Sequence, residues 1–319
     1  MEKRNYHVFT TELEDVLRQW LSEDAKVDFH ETLKNNGVTY QAVAIMEKEH
    51  NVSPNIRLDH YYTSFCEGMS IEEIGKEIWE IYEDEKKKQV DITAFVDFSR
   101  AKEHIMFRMV HYDKNKMRLE HMPHIRYLDL ALTFCFEMDW LPNDHGQASV
   151  QIENEHLKMW GIDEGVLYDL ALHNTMSNFP AVYKPMCEVV MQIMAGEGVI
   201  LNESEAEAFQ KENADIRMYV LSNGKSYFGA ACMYYPGILR QIADMIGGDL
   251  ILLPSSVHEV ILLPADEEDD YQKLNEMITD INSHQVAEEE ILSDHLYYYD
   301  KERDELRIPE FPQMQEITE

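Results

Sequence analysis

The sequence predicts an α+β protein with mixed or antiparallel sheets, hairpins and packed helices, arranged in two modules. Three observations carry that expectation. Asn36-Gly37 and Asn223-Gly224 each lie between extended runs, the strongest short-range hairpin signal. Several segments repeat apolar residues at helical spacing. These elements do not alternate as regular βαβ units, which argues against a doubly wound parallel sheet.

Taken in chain order, Leu13, Val16, Leu17, Trp20 and Leu21 share one helical face, and Thr11 with Glu14 forms a capping-box pattern. Val27 to Leu33 and Val38 to Ile45 are the strands of the first hairpin. Ser70 and Glu73 make a second capping box before Ile71, Ile74, Ile78, Ile81 and Tyr82, and Lys86-Lys87-Lys88 suit the negative end of that helix. Ile105 to Val110, Tyr127 to Phe136 and Ala148 to Ile152 read as strands. Asp163 is placed to cap a helix carrying Val166, Leu167, Leu170 and Ala171. Arg217 to Leu221 and Lys225 to Met233 flank Asn223-Gly224 as the second hairpin. Pro236 suits the first turn of a helix through Leu239, Ile242 and Ile246, which Gly247-Gly248 stops. Leu250 to Leu253 and Val257 to Leu263 are strands, a helix is expected from about Glu268 to Asn282, and Leu296 to Tyr299 is extended with alternate rings inward.

A polar stretch, Asp113-Lys114-Asn115-Lys116, followed by Pro123 suggests the module boundary. The expected organisation is an N-terminal α+β module at 1–118, a larger C-terminal α+β module at 119–309 and a frayed acidic tail at 310–319. Residues Gly196 to Asn213 read as a soft acidic region without a clear strand.

The 319 residues are 45% hydrophobic and carry a net charge of −33, a globular rather than a disordered composition. Such a charge opposes direct nucleic-acid binding, which depends on phosphate neutralisation by Lys and Arg, and it opposes docking on an anionic membrane surface. With no signal-like or membrane-spanning apolar run in the sequence, a cytoplasmic protein is expected. The charge is skewed: residues 259–319 hold 4 basic and 19 acidic side chains. Asp266, Glu267, Glu268, Asp269 and Asp270 form its densest run, readable as a helix start or as a surface for a basic protein partner.

Common chemical signatures are missing. The chain holds no GxGxxG or GxxxxGK[ST] phosphate cradle, no HExxH zincin helix and no GxSxG elbow. The four cysteines are widely spaced, and Cys135 and Cys232 sit among apolar residues as small buried hydrophobes. His121-Met122-Pro123-His124 could bring two imidazoles together, but no carboxylate or thiolate completes a recognised spacing, so neither a metal nor a cofactor is expected. Eighteen methionines suit an adaptable groove as well as a loosely packed core. The most concentrated polar group in an apolar frame is Ser255, Ser256, His258 and Glu259, between Leu250–Leu253 and Val260–Leu263. It has the residue types of a hydrolase triad; as a strand-to-strand turn, its hydroxyls would instead close backbone bonds.

Met106-Phe107-Arg108-Met109-Val110-His111-Tyr112, Met159-Trp160-Gly161-Ile162, Tyr219-Val220-Leu221-Ser222-Asn223, Tyr227-Phe228-Gly229-Ala230-Ala231, Tyr235-Pro236-Gly237-Ile238-Leu239 and Leu253-Pro254-Ser255-Ser256-Val257-His258-Glu259-Val260 resemble an uncharacterised bacterial family, the unknown-function domain family 5688, common in anaerobic gut bacteria. The resemblance runs from about residue 10 to 300 and implies a bacterial cytoplasmic setting, with no activity or site to carry over. The expected function is a non-enzymatic binding or adaptor protein with an acidic partner-binding surface. The alternatives are a hydrolase-like enzyme using Ser255 to Glu259, and a nucleic-acid mimic that occupies a basic protein.

Overall fold

The computed structural model describes residues 6–47, 53–87, 93–138, 148–196, 199, 202–213, 217–254, 256–266 and 270–310. It is α+β, with three antiparallel sheets. The chain divides into two compact units, Met1–Ile92 and Thr93–Glu319. Within the second unit the strand over residues 105–111 pairs along its whole length with residues 130–136. Residues 311–319 of the expected tail lie outside the described residues.

In the first unit, helix α1 (Tyr6–Leu17) precedes β1 (Lys26–Leu33), β2 (Thr39–Met46), β3 (Ile56–Arg57), α2 (Asp59–Glu67) and α3 (Ile71–Lys86). The Asn36-Gly37 hairpin forms as the sequence predicts, with Leu33 opposite Thr39 and both turn residues at positive φ. Ser70 caps α3 through the full capping box with Glu73. Helix α1 differs: it begins five residues before Thr11, whose hydroxyl donates to the His7 carbonyl inside the helix at 2.8 Å. Burial of Phe9 on the same face as Leu13, Val16 and Leu17 extends the helix past the local cap signal. Phe9, Leu13 and Leu17 then pack with Val43, Ile45, Ile74 and Ile78 as this unit's core.

The second unit opens with α4 (Thr93–Val96), α5 (Phe98–Ala101), β4 (Ile105–His111), α6 (Lys116–Leu119), β5 (His124–Tyr127), β6 (Leu130–Met138), β7 (Ala148–Gln151), α7 (Asn154–Trp160) and α8 (Glu164–Asn178). The single strand expected from Tyr127 to Phe136 is in fact a hairpin edge and its successor. Leu128 takes φ 56° and turns β5 back onto β6. The apolar residues of β6 hid this turn, because the strand is buried on both faces and shows no alternation. Asp163 caps α8 by accepting from the Val166 N–H at 2.9 Å.

There follow β8 (Ala181–Pro185), α9 (Met186–Gly196), α10 (Glu203–Glu212), β9 (Tyr219–Asn223), α11 (Ile238–Ile246), β10 (Leu250–Leu253), β11 (Val260–Pro264), α12 (Tyr271–His284), β12 (Tyr297–Asp300) and β13 (Glu305–Arg307). The six strands among them form one antiparallel sheet in the order β13-β12-β10-β11-β9-β8. Helix α10 occupies much of the sequence that reads as soft, and Asn202 caps it in a capping box with Glu205. The second Asn-Gly hairpin does not form. Strand β9 is already flanked by β8 and β11, so residues 225–233 have no edge to pair with. Instead the Asn223 side chain accepts from the Lys225 and Tyr227 N–H groups and donates to the Tyr227 carbonyl, closing a loop. Residues Gly229–Tyr234 then run as a 3-10 segment whose Ala230, Ala231 and Cys232 enter the core.

Strand β10 shows how the six-stranded sheet serves two cores. Leu250 and Leu252 point into the main cluster, while Ile251 and Leu253 face Ile278 of α12.

Candidate functional site

Residues 254–259 connect the antiparallel neighbours β10 and β11. Their backbone is stitched on two sides: the Val257 N–H donates to the Glu290 carbonyl at 2.9 Å, and the Val257 carbonyl accepts from Ala230 at 3.2 Å. Ser256 forms an isolated bridge to Ile291. Its buried hydroxyl accepts from the His258 backbone N–H at 3.0 Å, a local turn closure. The His258 imidazole does not meet that hydroxyl. Its Nδ1 accepts from the Phe228 N–H at 3.3 Å, which leaves Nε2 carrying the proton in the neutral ring, 3.5 Å from Glu290 Oε1. Ser255 lies outside the described residues.

Glu259 leaves this connection on the other side of the sheet. The strand period places Leu221 and Val260 in the main core, so their neighbours Val220 and Ile261 turn away from it. The register sets Ile261 opposite Val220, Val220 opposite Lys184, and Ser222 opposite Val182. Over this outer face runs α9, an almost wholly apolar helix none of whose residues is fully buried. Between helix and sheet lies a cleft of about 520 Å³, with Val189 and Ile193 on the helix side and Glu259 among its polar groups. Lys184 on β8 donates to Gln192 on α9 at 3.3 Å and ties the helix to the sheet edge.

Burial raises the Glu259 carboxyl above its ordinary value; nearby Glu290 pushes the same way, and His258 and Ser256 act against it. A half-buried carboxylate in a mostly apolar cleft of this volume has the composition of a small-ligand site: an apolar body and a few orienting polar groups. The loop that closes one end of the cleft is conformationally strained, since Ser226 and Phe228 both take positive φ.

Of the residues the sequence singles out, Ser256 stays in side-chain contact with Glu259, while the His258 ring turns to the Phe228 N–H and Glu290. Asp270 caps α12 by accepting from the Lys273 N–H at 3.1 Å. Asp266 lies at the end of the preceding loop, and Glu267, Glu268 and Asp269 are outside the described residues. Burial pushes the Cys135 and Cys232 thiols up to about 12. His124 turns Nδ1 to the Met122 carbonyl at 3.0 Å. Among the described residues no group of three or more His, Cys, Asp or Glu could hold a metal ion, and no helix is long and apolar enough to cross a membrane. The helix over the cleft went unread in the sequence, although Met186-Cys187 and Val189-Val190-Met191 were its signal: an apolar run without a polar stripe.

No curated protein and no solved structure matches this chain. The model described as "Family of unknown function (DUF5688)" matches residues 6–301, and the chain belongs to that family.

Proposed function

We propose that this protein is a non-enzymatic binding protein, and that the cleft under α9 takes a small amphipathic ligand with an apolar body and a cationic, hydrogen-bond-donating head. The observation that carries this reading is the 520 Å³ cleft between an incompletely buried apolar helix and the sheet, with Glu259 as its acid. A donor that reaches Glu259 relieves the cost of burying its charge. The net charge of −33 raises the local concentration of cations at the surface. For the adaptor form of the reading, the 19 acidic residues of 259–319 would steer a basic protein partner in the same way. The hydrolase alternative draws less support, because the Ser256 hydroxyl and the His258 ring are each engaged with backbone N–H groups.

Calorimetric titration with 2-phenylethylamine and its neutral isostere 2-phenylethanol tests this. The amine is expected to bind more tightly. Glu259→Gln should remove that preference, weakening the amine about tenfold or more, the scale of a hydrogen bond to a charged group. Val189→Trp, which fills the cleft from α9, should abolish binding of both. Absence of binding, or binding indifferent to Val189→Trp, would refute the proposal.

A further inference from the structure

A second carboxylate, far from Glu259 in the chain, is far more deeply buried. Glu137 near the end of β6 is 4% exposed. Its Oε1 accepts from Arg108 at 2.5 Å and from the Cys135 thiol at 3.6 Å. The Arg108 guanidinium also donates to the Tyr227 hydroxyl at 3.0 Å and stacks 4.1 Å from the Phe228 ring centroid, so it is fixed in place. Glu137 Oε2 is fully buried and has no hydrogen-bond partner.

Two spaces adjoin this carboxylate. One, beside Arg108, Asn223 and Tyr227, measures about 10 Å³, the size of a single water. The other is a largely polar cleft of about 450 Å³ shared with Glu103, His104, His173, Phe179 and Lys225. Lys225 stands 4.7 Å over the Phe179 ring, which leaves its ammonium engaged with the wall. Arg108 already balances the Glu137 charge, so the selection rests on hydrogen bonding: a carboxylate oxygen without a donor can be completed only by a donor, and a charged N–H is the stronger one.

We propose that this cleft binds a small polar ligand bearing a protonated amine, whose N–H group completes the hydrogen bonding of Glu137 Oε2. The site is distinct from the cleft under α9: it is polar-walled, it lies on β4 and β6 rather than on the outer face of the six-stranded sheet, and its acid is Glu137. From the loop after β9, Lys225 lines this cleft, whereas Asn223 and Ser226 line the one under α9.

Amide chemical-shift titration of the full chain tests this, with ethanolamine as probe and ethylene glycol and glycolate as neutral and anionic isosteres. Ethanolamine is expected to give saturable shifts centred on Glu137, Phe179 and Lys225, at least tenfold stronger in apparent affinity than ethylene glycol. Glu137→Gln should abolish this preference, and Glu259→Gln should leave it intact. Because Glu137→Gln disturbs the Arg108 pair, a second variant, Ser177→Trp, fills the cleft from the exposed face of α8 and leaves the pair untouched. It too should abolish binding. A lack of saturable shifts, equal response to ethylene glycol, or binding that survives Ser177→Trp would overturn the proposal and leave Oε2 as a site for water alone.

Discussion

Asp129, at the turn between β5 and β6, offers the sharpest test of how the second unit holds together. Its carboxylate accepts from the Ser293 hydroxyl at 2.6 Å, from His295 Nδ1 at 3.1 Å and from the Tyr297 hydroxyl at 2.5 Å. These contacts join the sheet formed by β4, β5, β6 and β7 to the segment leading into β12. Ser293 and Tyr297 are both 0% exposed, so Asp129→Ala removes the carboxylate acceptor of two hydroxyls that water cannot reach, although the Ser293 hydroxyl still accepts from the His295 N–H at 3.0 Å. Each costs about 1–3 kcal/mol when left unmade, and neighbours do not add fully, so a loss of roughly 2–4 kcal/mol is expected. Asp129→Asn keeps an acceptor and should cost less. A global unfolding midpoint would mix the two units, so the assay is hydrogen exchange read by mass spectrometry on peptides covering 124–138 and 293–300. The slowest amides there should exchange roughly 30- to 1,000-fold faster, at about 1.4 kcal/mol per factor of ten. The pH dependence has a definite sign. Burial pushes the Asp129 carboxyl up, but its three donors outweigh that and lower it, while the bond to Asp129 raises His295. The His295 contribution is full below the unfolded value of about 6.5 and is lost as pH rises through the raised folded value. The Asp129 contribution is present above about 3.9 and is lost as pH falls through the lowered folded value. Protection in these peptides, corrected for intrinsic exchange, should therefore fall as pH rises from about 6.5 through the raised His295 value, and His295→Gln should flatten that fall. Exchange in Asp129→Ala within threefold of the parent, or an unchanged pH response in His295→Gln, would refute the reasoning.

Gly75 lets α3 pack against α1: an added Cβ would stand 2.5 Å from Val16 Cγ1. Gly75→Ala should cost about 1–3 kcal/mol by overpacking, and Val16→Ala in the same chain should recover part of it, read by exchange in residues 6–17 and 71–86. In the β10–β11 connection, Ser256→Ala and His258→Ala should each destabilise by about 1 kcal/mol through lost backbone bonds, and the parent should not label with a fluorophosphonate. Labelling at Ser256 that disappears in His258→Ala would restore the hydrolase reading.

Where a signal is local, the sequence carried it. Ser70-Glu73, Asp163 and Asn36-Gly37 work within a few residues of themselves, so their caps and turn appear as read. The failures share one cause. Asn223-Gly224 has the same local signal as Asn36-Gly37, yet β9 already has two neighbours and the hairpin has no place to form. Leu128, at positive φ, is no turn residue by type; the pairing of β5 with β6 imposes the turn. Ser256, His258 and Glu259 were visible as a polar island, and Ser256 closes its turn locally on the His258 N–H, but the His258 ring turns to Phe228 and Glu259 enters a cleft under α9, both far away in the chain.

By itself, then, the sequence determined the α+β class, the caps of α3 and α8, the first hairpin, the excess of acid and the family to which the chain belongs. These depend on nearest neighbours, on composition or on motif order, all of which are linear properties. The tertiary structure alone decided where the units divide, which strands become neighbours and which carboxylates are buried. Glu137 and Glu259 look like any other of the 61 acids until β4 brings Arg108 to one and α9 lies over the other. Desolvation depends on what surrounds a charge in space, and the order of residues along the chain does not contain that information until the chain has folded.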